Sequence, residues 1–206
     1  MGMEDYLGDI RKHYITLCRQ IEKKVPKDRR AMLADIPAPS GEETPEERAK
    51  WATEVSRLLE CSLDPDTLAD VRQACACVKT NRYSAYHQKY FPEIRRQHPD
   101  DEAYLKAVAA FLSGRPRIGK KVEYRDGKLI TSMGEEKGCG CFVIRGGWEK
   151  PPTTTWCLCC QGTLYSVYRF IFPEKVCRMA IVETHATGGS DCVFSAWYEE
   201  PEAFQT

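Results

Sequence analysis

The period of the apolar residues changes near residue 115, which restricts the chain to a fold with a helical part and a part that contains strands. Up to that point apolar side chains recur at helical spacing, as in the segment from about 5 to 25. Its apolar face consists of Tyr6, Ile10, Leu17 and Ile21. After Pro116, short β-type runs with turn signals take over. We therefore predict an α+β protein with a helical region, 1–115, and a mixed α/β region, 116–206, in one compact body.

Local signals mark the ends of several helices. Thr44 is a favourable N-cap, Pro45 suits the first helical position, and Glu47 completes a capping box. Asp64 and Pro65 mark a second helix start of the same kind. Helical spacing continues in two later groups, Tyr83, Tyr86, Tyr90 and Ile94, and then Tyr104, Val108, Phe111 and Leu112, before Gly114 as a C-cap.

The second region predicts the element order β-β-β-α-β-β with a mainly antiparallel sheet. Asp126-Gly127 lies between two short β-type runs and is a strong hairpin signal. Residues 141–147, CFVIRGG, predict a third strand, and residues 153–172 begin with threonines and become helical. Residues 177–185 and 192–200 predict the last two strands, which the loop ATGGSD would join as a hairpin.

The charge balance argues against two classes of function. The 206 residues include 30 Lys and Arg and 30 Asp and Glu, so neither a general nucleic-acid binder nor a polybasic membrane-surface protein is indicated. No apolar run approaches the ~20 residues that a membrane helix needs. Because the N-terminal residues are charged from the start, we expect no signal peptide there and a cytoplasmic protein.

Cysteine is the unusual component of the composition, with 11 residues in the chain. In a reducing compartment so many thiols indicate metal or redox chemistry rather than disulfide bonds. Cys139 and Cys141 lie at the start of a predicted strand, where residues i and i+2 point to the same side and can face one ion. Cys157, Cys159 and Cys160 lie at a predicted helix start, whose dipole and free N–H groups stabilise a thiolate. Either Cys157 and Cys159 pair in an extended segment, or Cys157 and Cys160 pair in the first helical turn.

One further cysteine is a candidate ligand. Cys192 follows the loop of the last predicted hairpin, and Glu183 and His185 lie on one face of the opposite strand. Cys75 and Cys77 fall in a predicted helix, where positions i and i+2 are ~200° apart, so we expect small core residues unless the helix ends there. No partner at metal-binding spacing exists for the other three, Cys18, Cys61 and Cys177.

From about Gly138 to Tyr198 the chain resembles the 4-vinyl-reductase-type ligand-binding domain, which is similar to the sensor halves of bacterial regulators that detect phenols and toluenes. The resemblance rests on the helix opened by a cysteine, WCLCCQGTLYSVYRFIF, and on the strand and loop AIVETHATGGSDCVF. It implies a zinc site formed by Cys157, Glu183 and Cys192, with His185 as the nearest substitute for a hairpin cysteine that this chain lacks. The whole layout also resembles an uncharacterised cysteine-rich bacterial and archaeal family.

The leading hypothesis is a cysteine-ligated metal protein, most simply a zinc protein, that binds a small molecule or acts as a sensor. Thiolates prefer zinc or iron–sulfur chemistry to hard ions. A small apolar or aromatic ligand would fit an aromatic-lined pocket beside the ion. The sequence leaves open whether the chain forms a homodimer. The candidate metal ligands are Cys139, Cys141, Cys157, Cys159, Glu183 and Cys192. The candidate pocket aromatics are Phe142, Trp148, Trp156, Tyr165, Phe170 and Trp197.

Two alternatives use the same cysteines. Trp156-Cys157-x-x-Cys160 matches the Trp-Cys-x-x-Cys pattern of thiol–disulfide enzymes at a helix start. Cysteine pairs from separate loops are also able to hold an iron–sulfur cluster. The sequence has no Walker loop, dinucleotide-binding glycine motif or recognisable Ser/His/Asp triad, so it names no reaction.

The position of Cys192 at the last loop leads to a first prediction. We expect Cys192→Ala to lower bound metal and thermal stability together, because removal of a ligand leaves the charge of the ion poorly neutralised, whereas a thiol in an apolar core would lose only a modest packing contribution. Elemental analysis and the midpoint of thermal unfolding measure the two effects, and Cys18→Ala is the control that should change neither. Lower stability with full metal content would place Cys192 in the core.

Overall fold

The computed structural model describes residues 9–77, 85–116, 118–134, 138–145 and 153–201. Its first part is helical, as predicted. The α-helices there are α1 (Ile10–Lys24), α2 (Pro45–Ser62), α3 (Pro65–Ala74), α4 (Phe91–Gln97) and α5 (Asp101–Leu112). A 3-10 helix at Lys27–Ala34 follows α1, and a π-helical turn at Tyr86–Tyr90 leads into α4.

The second part contains a four-stranded antiparallel sheet and a sixth helix, so the predicted α+β class is confirmed. The strands are β1 (Lys121–Arg125), β2 (Lys128–Ser132), β3 (Val176–Glu183) and β4 (Val193–Glu199), in the order β1-β2-β4-β3. Helix α6 (Leu158–Tyr168) begins directly after a 3-10 turn at Thr154–Cys157. The β1–β2 hairpin turns at Asp126-Gly127, where φ is 50° and 78°, so its sequence signal is confirmed.

The strand predicted at residues 141–147 is wrong for the part that the structure describes. Residues 141–145 form a turn, in which the amides of Ile144 and Arg145 donate to the Cys141 carbonyl at 3.2 and 2.7 Å. Val143 and Ile144 are fully buried in the helical core. A short apolar run has no period that separates a strand from a buried turn, and here the helices supply the apolar surface that a sheet would have supplied.

The capping signals are confirmed in detail. Thr44 Oγ1 accepts from the amide of Glu47 at 3.2 Å, and Glu47 Oε2 accepts from the amide of Thr44 at 2.8 Å. Asp64 caps α3 by accepting from the amide of Thr67 at 2.9 Å. Helix α3 ends at Ala74, earlier than its apolar spacing predicts. The expected helical positions Val78 and Tyr83 lie outside the described residues.

Two hydrophobic cores lie on either side of α6, and each contains residues from both sides of residue 115. The first joins α1, α2 and α3 to the turn at 141–145 and to Trp156. The second joins α4, α5 and the sheet to the remaining face of α6. Cys160 packs against both cores, which places the first turn of α6 at their junction. None of the helices described is long and apolar enough to cross a membrane.

Helices α3 and α6 approach each other closely at Gly162. A Cβ atom at this position would lie 2.1 Å from the carbonyl oxygen of Gln73. Beside this contact, Gln73 Nε2 donates to Gln161 Oε1 at 2.7 Å. Because no side chain fits between the two backbones, glycine is the residue that permits this approach.

We expect Gly162→Ala to destabilise the protein by about 2 kcal/mol or more, because the clash is with backbone atoms of α3 that have no rotamer to change. Urea unfolding of the reduced protein measures the change. Ser166→Ala is the control, because Ser166 lies on the same helix and the substitution adds no atom. A Gly162→Ala variant as stable as the wild type would contradict the close approach of the two helices.

Candidate functional site

A cavity of about 490 Å³ opens at the junction of the two cores, and its walls are rich in thiols. Six of the 11 cysteines line it, and they come from four segments that are distant in sequence. These segments are the chain after α3, the loop before the turn at 141–145, the first turn of α6 and the residue before β4. The six are Cys77, Cys139, Cys141, Cys159, Cys160 and Cys192.

Cys77 is in the site although its spacing predicted a helical core residue. Helix α3 stops at Ala74, and the amides of Cys75 and Ala76 close the last turn on the carbonyls of Arg72 and Gln73 at 3.0 and 3.1 Å. Cys75 stays buried, as predicted, with Sγ 3.2 Å from the Val71 carbonyl. Cys77 lies beyond the helix. Its environment therefore differs from that of Cys75. Because Cys77 lies outside the helix, the angle between helical positions i and i+2 does not keep its side chain away from the other thiols.

Cys77 reaches α1 as well as α6. Its Sγ lies 3.9 Å from Nδ1 of His13, which also lines the cavity. Its thiol donates a hydrogen bond to Cys159, and this bond together with burial raises the pKa of Cys77 far above the ordinary value. Cys77 is therefore a protonated thiol that supports a neighbouring thiolate.

Four of the cavity thiols, here called the thiol quartet, all interact with one another. The quartet consists of Cys77, Cys141, Cys159 and Cys160, and each of its six pairs shows a hydrogen bond or an electrostatic interaction between the thiols. Burial raises the pKa of Cys141 to about 11. A hydrogen bond donated to Cys159 raises the pKa of Cys160 well above its usual range. Thiols that resist deprotonation, as Cys77, Cys141 and Cys160 do, favour a partner that replaces their protons, such as a soft metal ion.

Cys159 is the thiol that carries negative charge most readily. Hydrogen bonds from Cys160 and Cys77, followed by the positive charge of Arg72 and His13, hold the pKa of Cys159 well below the ordinary value. Cys159 is the second residue of α6, where the free N–H groups of the helix add to this effect. The expectation of a reactive thiol at the start of this helix thus points to Cys159.

Arg72 is a buried cation beside the quartet, with 2% of its surface exposed. Its Nε and Nη2 donate to the carbonyl oxygens of Thr155 and Trp156 at 3.3 and 3.1 Å, and its guanidinium lies 4.1 Å from the centre of the Trp156 ring. None of the ion pairs among the described residues gives it a carboxylate. Because a buried charge needs a counter-charge, the nearby thiols are the groups that supply one.

Trp156 provides a second polar group that faces sulfur. Its indole Nε1 is buried and has no hydrogen-bond partner among the described residues. Cys141 lies near it, and the indole N–H lowers the pKa of that thiol against the larger opposite effect of burial. An N–H group directed at a cysteine is the kind of contact that supports a metal-bound thiolate.

A second set of thiols, here called the thiol trio, lies beside the quartet. It consists of Cys139, Cys157 and Cys192, which interact electrostatically with one another and with Cys141 or Cys159. Cys157 is 6% exposed, and Thr184 Oγ1 lies 3.7 Å from its Sγ. Burial raises the pKa of Cys157 to about 12. Of the four cysteines predicted to converge, Cys139, Cys141 and Cys159 line the cavity, and Cys157 interacts electrostatically with all three without lining it. Their joint ligation of one ion stays a prediction.

Glu183 serves the loop rather than the cavity in this structure. Its Oε1 accepts from the amides of Ser190 and Asp191 at 2.6 and 3.2 Å, and it does not line the cavity. The chain after Glu183 forms a 3-10 turn at His185–Thr187 instead of a simple hairpin loop. This turn was not visible in the alternation pattern, and it takes His185 out of the strand on whose face it was predicted to lie with Glu183.

The six aromatic residues expected around one pocket are distributed over several places. Phe142 lines the thiol cavity, whereas Phe170 lines a second cavity of about 340 Å³. Trp156 packs edge-on against Trp51, with ring centres 5.5 Å apart. Trp197 lies on the sheet surface, where its Nε1 donates to Glu199. Tyr165 packs against the second core, and Trp148 lies outside the described residues.

The thiols are close, yet they do not form a finished coordination shell. No group of three or more His, Cys, Asp or Glu side chains in the described ranges has the arrangement of a metal site. The chain matches no protein-family model, and comparisons with curated proteins and with solved structures found no match either. The chemistry of the cavity must therefore be argued from its own residues.

The buried charge of Arg72 leads to a prediction for Cys159 in the reduced, metal-free protein. We expect Arg72→Gln to move the pH midpoint of Cys159 alkylation upward, because loss of the cation raises the pKa of the thiol. Iodoacetamide labelling across a pH series, with peptide mapping, measures the midpoint. Arg72→Lys keeps the charge and should keep the midpoint low. An unchanged midpoint in Arg72→Gln would remove Arg72 from the electrostatics of this thiol.

Proposed function

We propose that the protein binds a soft divalent metal ion, zinc in the first place, at the thiol-lined cavity, and that the remaining space admits a small molecule, as in a sensor or ligand-binding protein. The observation that carries the proposal is the convergence of four thiols from three segments on the wall of one cavity, next to a buried arginine that forms no ion pair with a carboxylate among the described residues. Core cysteines that serve only to fill space need neither the shared location nor the cation.

The donor set fits zinc in number, in type and in charge. Four thiolates and one Zn²⁺ form a tetrahedral centre with two net negative charges, and Arg72 and His13 lie where they reduce that charge. The ion would be held by Cys77, Cys141, Cys159 and Cys160, and it would cross-link α3, the turn at 141–145 and α6.

The resemblance to phenol-sensing domains favours a different ligand set, made of Cys157, Glu183 and Cys192. Two of these three belong to the thiol trio, and Glu183 is held by the amides of its loop. We place the ion at the quartet because Arg72 and the Trp156 indole face that set. The two sets lead to different expectations for Cys77 and Cys192, so one series of variants decides between them.

We expect the protein, expressed and purified without chelator, to contain about one zinc per chain, and Cys77→Ser and Cys159→Ser to lose most of it, because each removes one of four ligands. Elemental analysis gives the stoichiometry, and the charge-transfer band of a Co²⁺-substituted sample reports thiolate ligation. Cys61→Ser, at an exposed cysteine, is the matched control that should retain the metal.

Retention of zinc in Cys77→Ser together with its loss in Cys192→Ala would move the ion to the thiol trio. A brown sample that contains iron and sulfide would replace zinc with an iron–sulfur cluster. Purified protein that contains no metal, and that does not bind added Zn²⁺ or Co²⁺, would contradict the proposal.

A thiol–disulfide function is the second candidate, and the hydrogen bonds of Cys159 favour it. Cys159 receives bonds from Cys77 and Cys160, so the oxidisable pair would be Cys159 with Cys77 rather than Cys157 with Cys160. Its oxidation to a disulfide would pass two electrons and two protons to an external disulfide, which becomes two thiols. Mass spectrometry of the metal-free protein in glutathione buffers, with Cys77→Ser as the comparison, tests this pair.

A further inference from the structure

We infer that the thiol trio is a second site for a soft divalent ion, and that the sulfur of Cys141 completes this site by bridging the two ions. The inference rests on the proposed function, because it takes the quartet as the site of the first ion. It goes beyond that function, in which the trio is only an alternative place for a single ion.

Chain connectivity holds the two sets of thiols side by side. Cys139 of the trio and Cys141 of the quartet are separated by one residue, so their Cα atoms are at most ~7 Å apart. Cys157 of the trio is the N-cap of α6, whose second and third residues, Cys159 and Cys160, belong to the quartet. Positions in one helical turn advance by only ~1.5 Å per residue. An ion held by the quartet therefore has the trio as its neighbour through two separate segments of the chain.

The loop between β3 and β4 brings the third member of the trio to the same place. Thr184 at its start is fully buried, and its Oγ1 lies 3.7 Å from the sulfur of Cys157. The amide of Gly189 donates to the Thr184 carbonyl at 2.9 Å and closes the loop on itself. Cys192 at its end lines the cavity, and its carbonyl accepts from the amide of Met133 at 3.0 Å. One loop thus contacts Cys157 and holds Cys192 at the cavity wall.

Cys141 is the thiol best placed for the two sets to share. It lines the cavity, and it interacts electrostatically with the other three members of the quartet and with two members of the trio. Burial raises the pKa of this thiol, while the amides of Val143 and Ile144 and the indole of Trp156 act in the opposite direction. N–H groups that favour the charged form of a sulfur support a thiolate that is bound to metal.

The number of thiols matches two ions that share one ligand. A tetrahedral ion takes four ligands, so two such ions with one common sulfur take seven. The quartet and the trio together supply seven thiols, and the sulfur of Cys141 is the fourth ligand that the trio lacks. Sharing also lowers the buried charge, because two Zn²⁺ ions with seven thiolates carry three net negative charges and two separate tetrathiolate centres carry four.

The test counts the ions and asks whether they share a sulfur. The full chain, kept reduced, is incubated with excess Zn²⁺ and passed through a desalting column, and we expect elemental analysis to give about two ions per chain. A second sample is depleted of metal and titrated with Co²⁺. Because a bridging sulfur couples the electron spins of two Co²⁺ ions, we expect the electron paramagnetic resonance signal to rise with the first equivalent and to fall with the second.

Variants assign the two equivalents. We expect Cys192→Ser to lose the second equivalent and the fall of the signal, and Cys77→Ser to lose the other equivalent. The matched control is Cys177→Ser, because burial raises the pKa of Cys177 to about 12, as it does for Cys157, yet Cys177 packs in the second core and does not line the cavity. It should keep both ions. The titration of the wild type decides the question even if a variant unfolds.

A single equivalent that Cys77→Ser loses and Cys192→Ser keeps would overturn the inference and leave the proposed function standing. A single equivalent that Cys192→Ser loses and Cys77→Ser keeps would overturn both the second site and the placement of the first ion at the quartet. Two equivalents whose signals simply add would overturn the sharing of Cys141. A chain that binds neither Zn²⁺ nor Co²⁺ would overturn the inference together with the proposed function.

Discussion

The contact between α3 and α6 determines where the chemistry of this protein lies. Gly162 lets the two backbones meet, Gln73 and Gln161 join them through a side-chain hydrogen bond, and Arg72 of α3 holds the carbonyls that precede α6. Through this contact the chain that follows α3 reaches the first turn of α6. Without it, Cys77 would not lie beside Cys159, because 82 residues of sequence separate them.

Arg72 is the buried positive charge beside the cluster of thiols. Among the described residues this guanidinium donates to carbonyl oxygens and lies over an aromatic face, and it forms no ion pair with a carboxylate. Of the nearby thiols, Cys159 is the one whose pKa falls. A purely structural set of cysteines would gain nothing from this cation, because a neutral thiol neither needs nor balances it. The burial of Arg72 is therefore better explained by a thiolate centre than by a core that happens to contain sulfur.

Local signals in the sequence predicted the parts of the fold that depend on neighbouring residues. The capping box at Thr44, the N-cap at Asp64 and the turn at Asp126-Gly127 all occur as expected. The turn at 141–145 could not be predicted, because its apolar side chains are buried by helices that are distant in sequence. For the same reason Cys77 was missed: its role depends on the point at which α3 ends and on contacts with α1 and α6. Of the predicted ligands, four cysteines line one cavity, whereas Glu183 is used by hydrogen bonds within its own loop.

The proposed metal centre and the cavity share a wall, so an ion and a ligand bound there would not be independent of each other. Cys141 belongs to the quartet, and the next residue, Phe142, lines the cavity. Movement of the Cys141 sulfur toward an ion acts on the same short turn that carries the Phe142 ring. An ion and a small molecule bound at this wall would therefore influence each other's affinity, and the two effects must be equal in free energy. Such coupling is the physical requirement for a sensor, since a ligand that leaves the ion and its thiols unaffected transmits nothing to the rest of the chain.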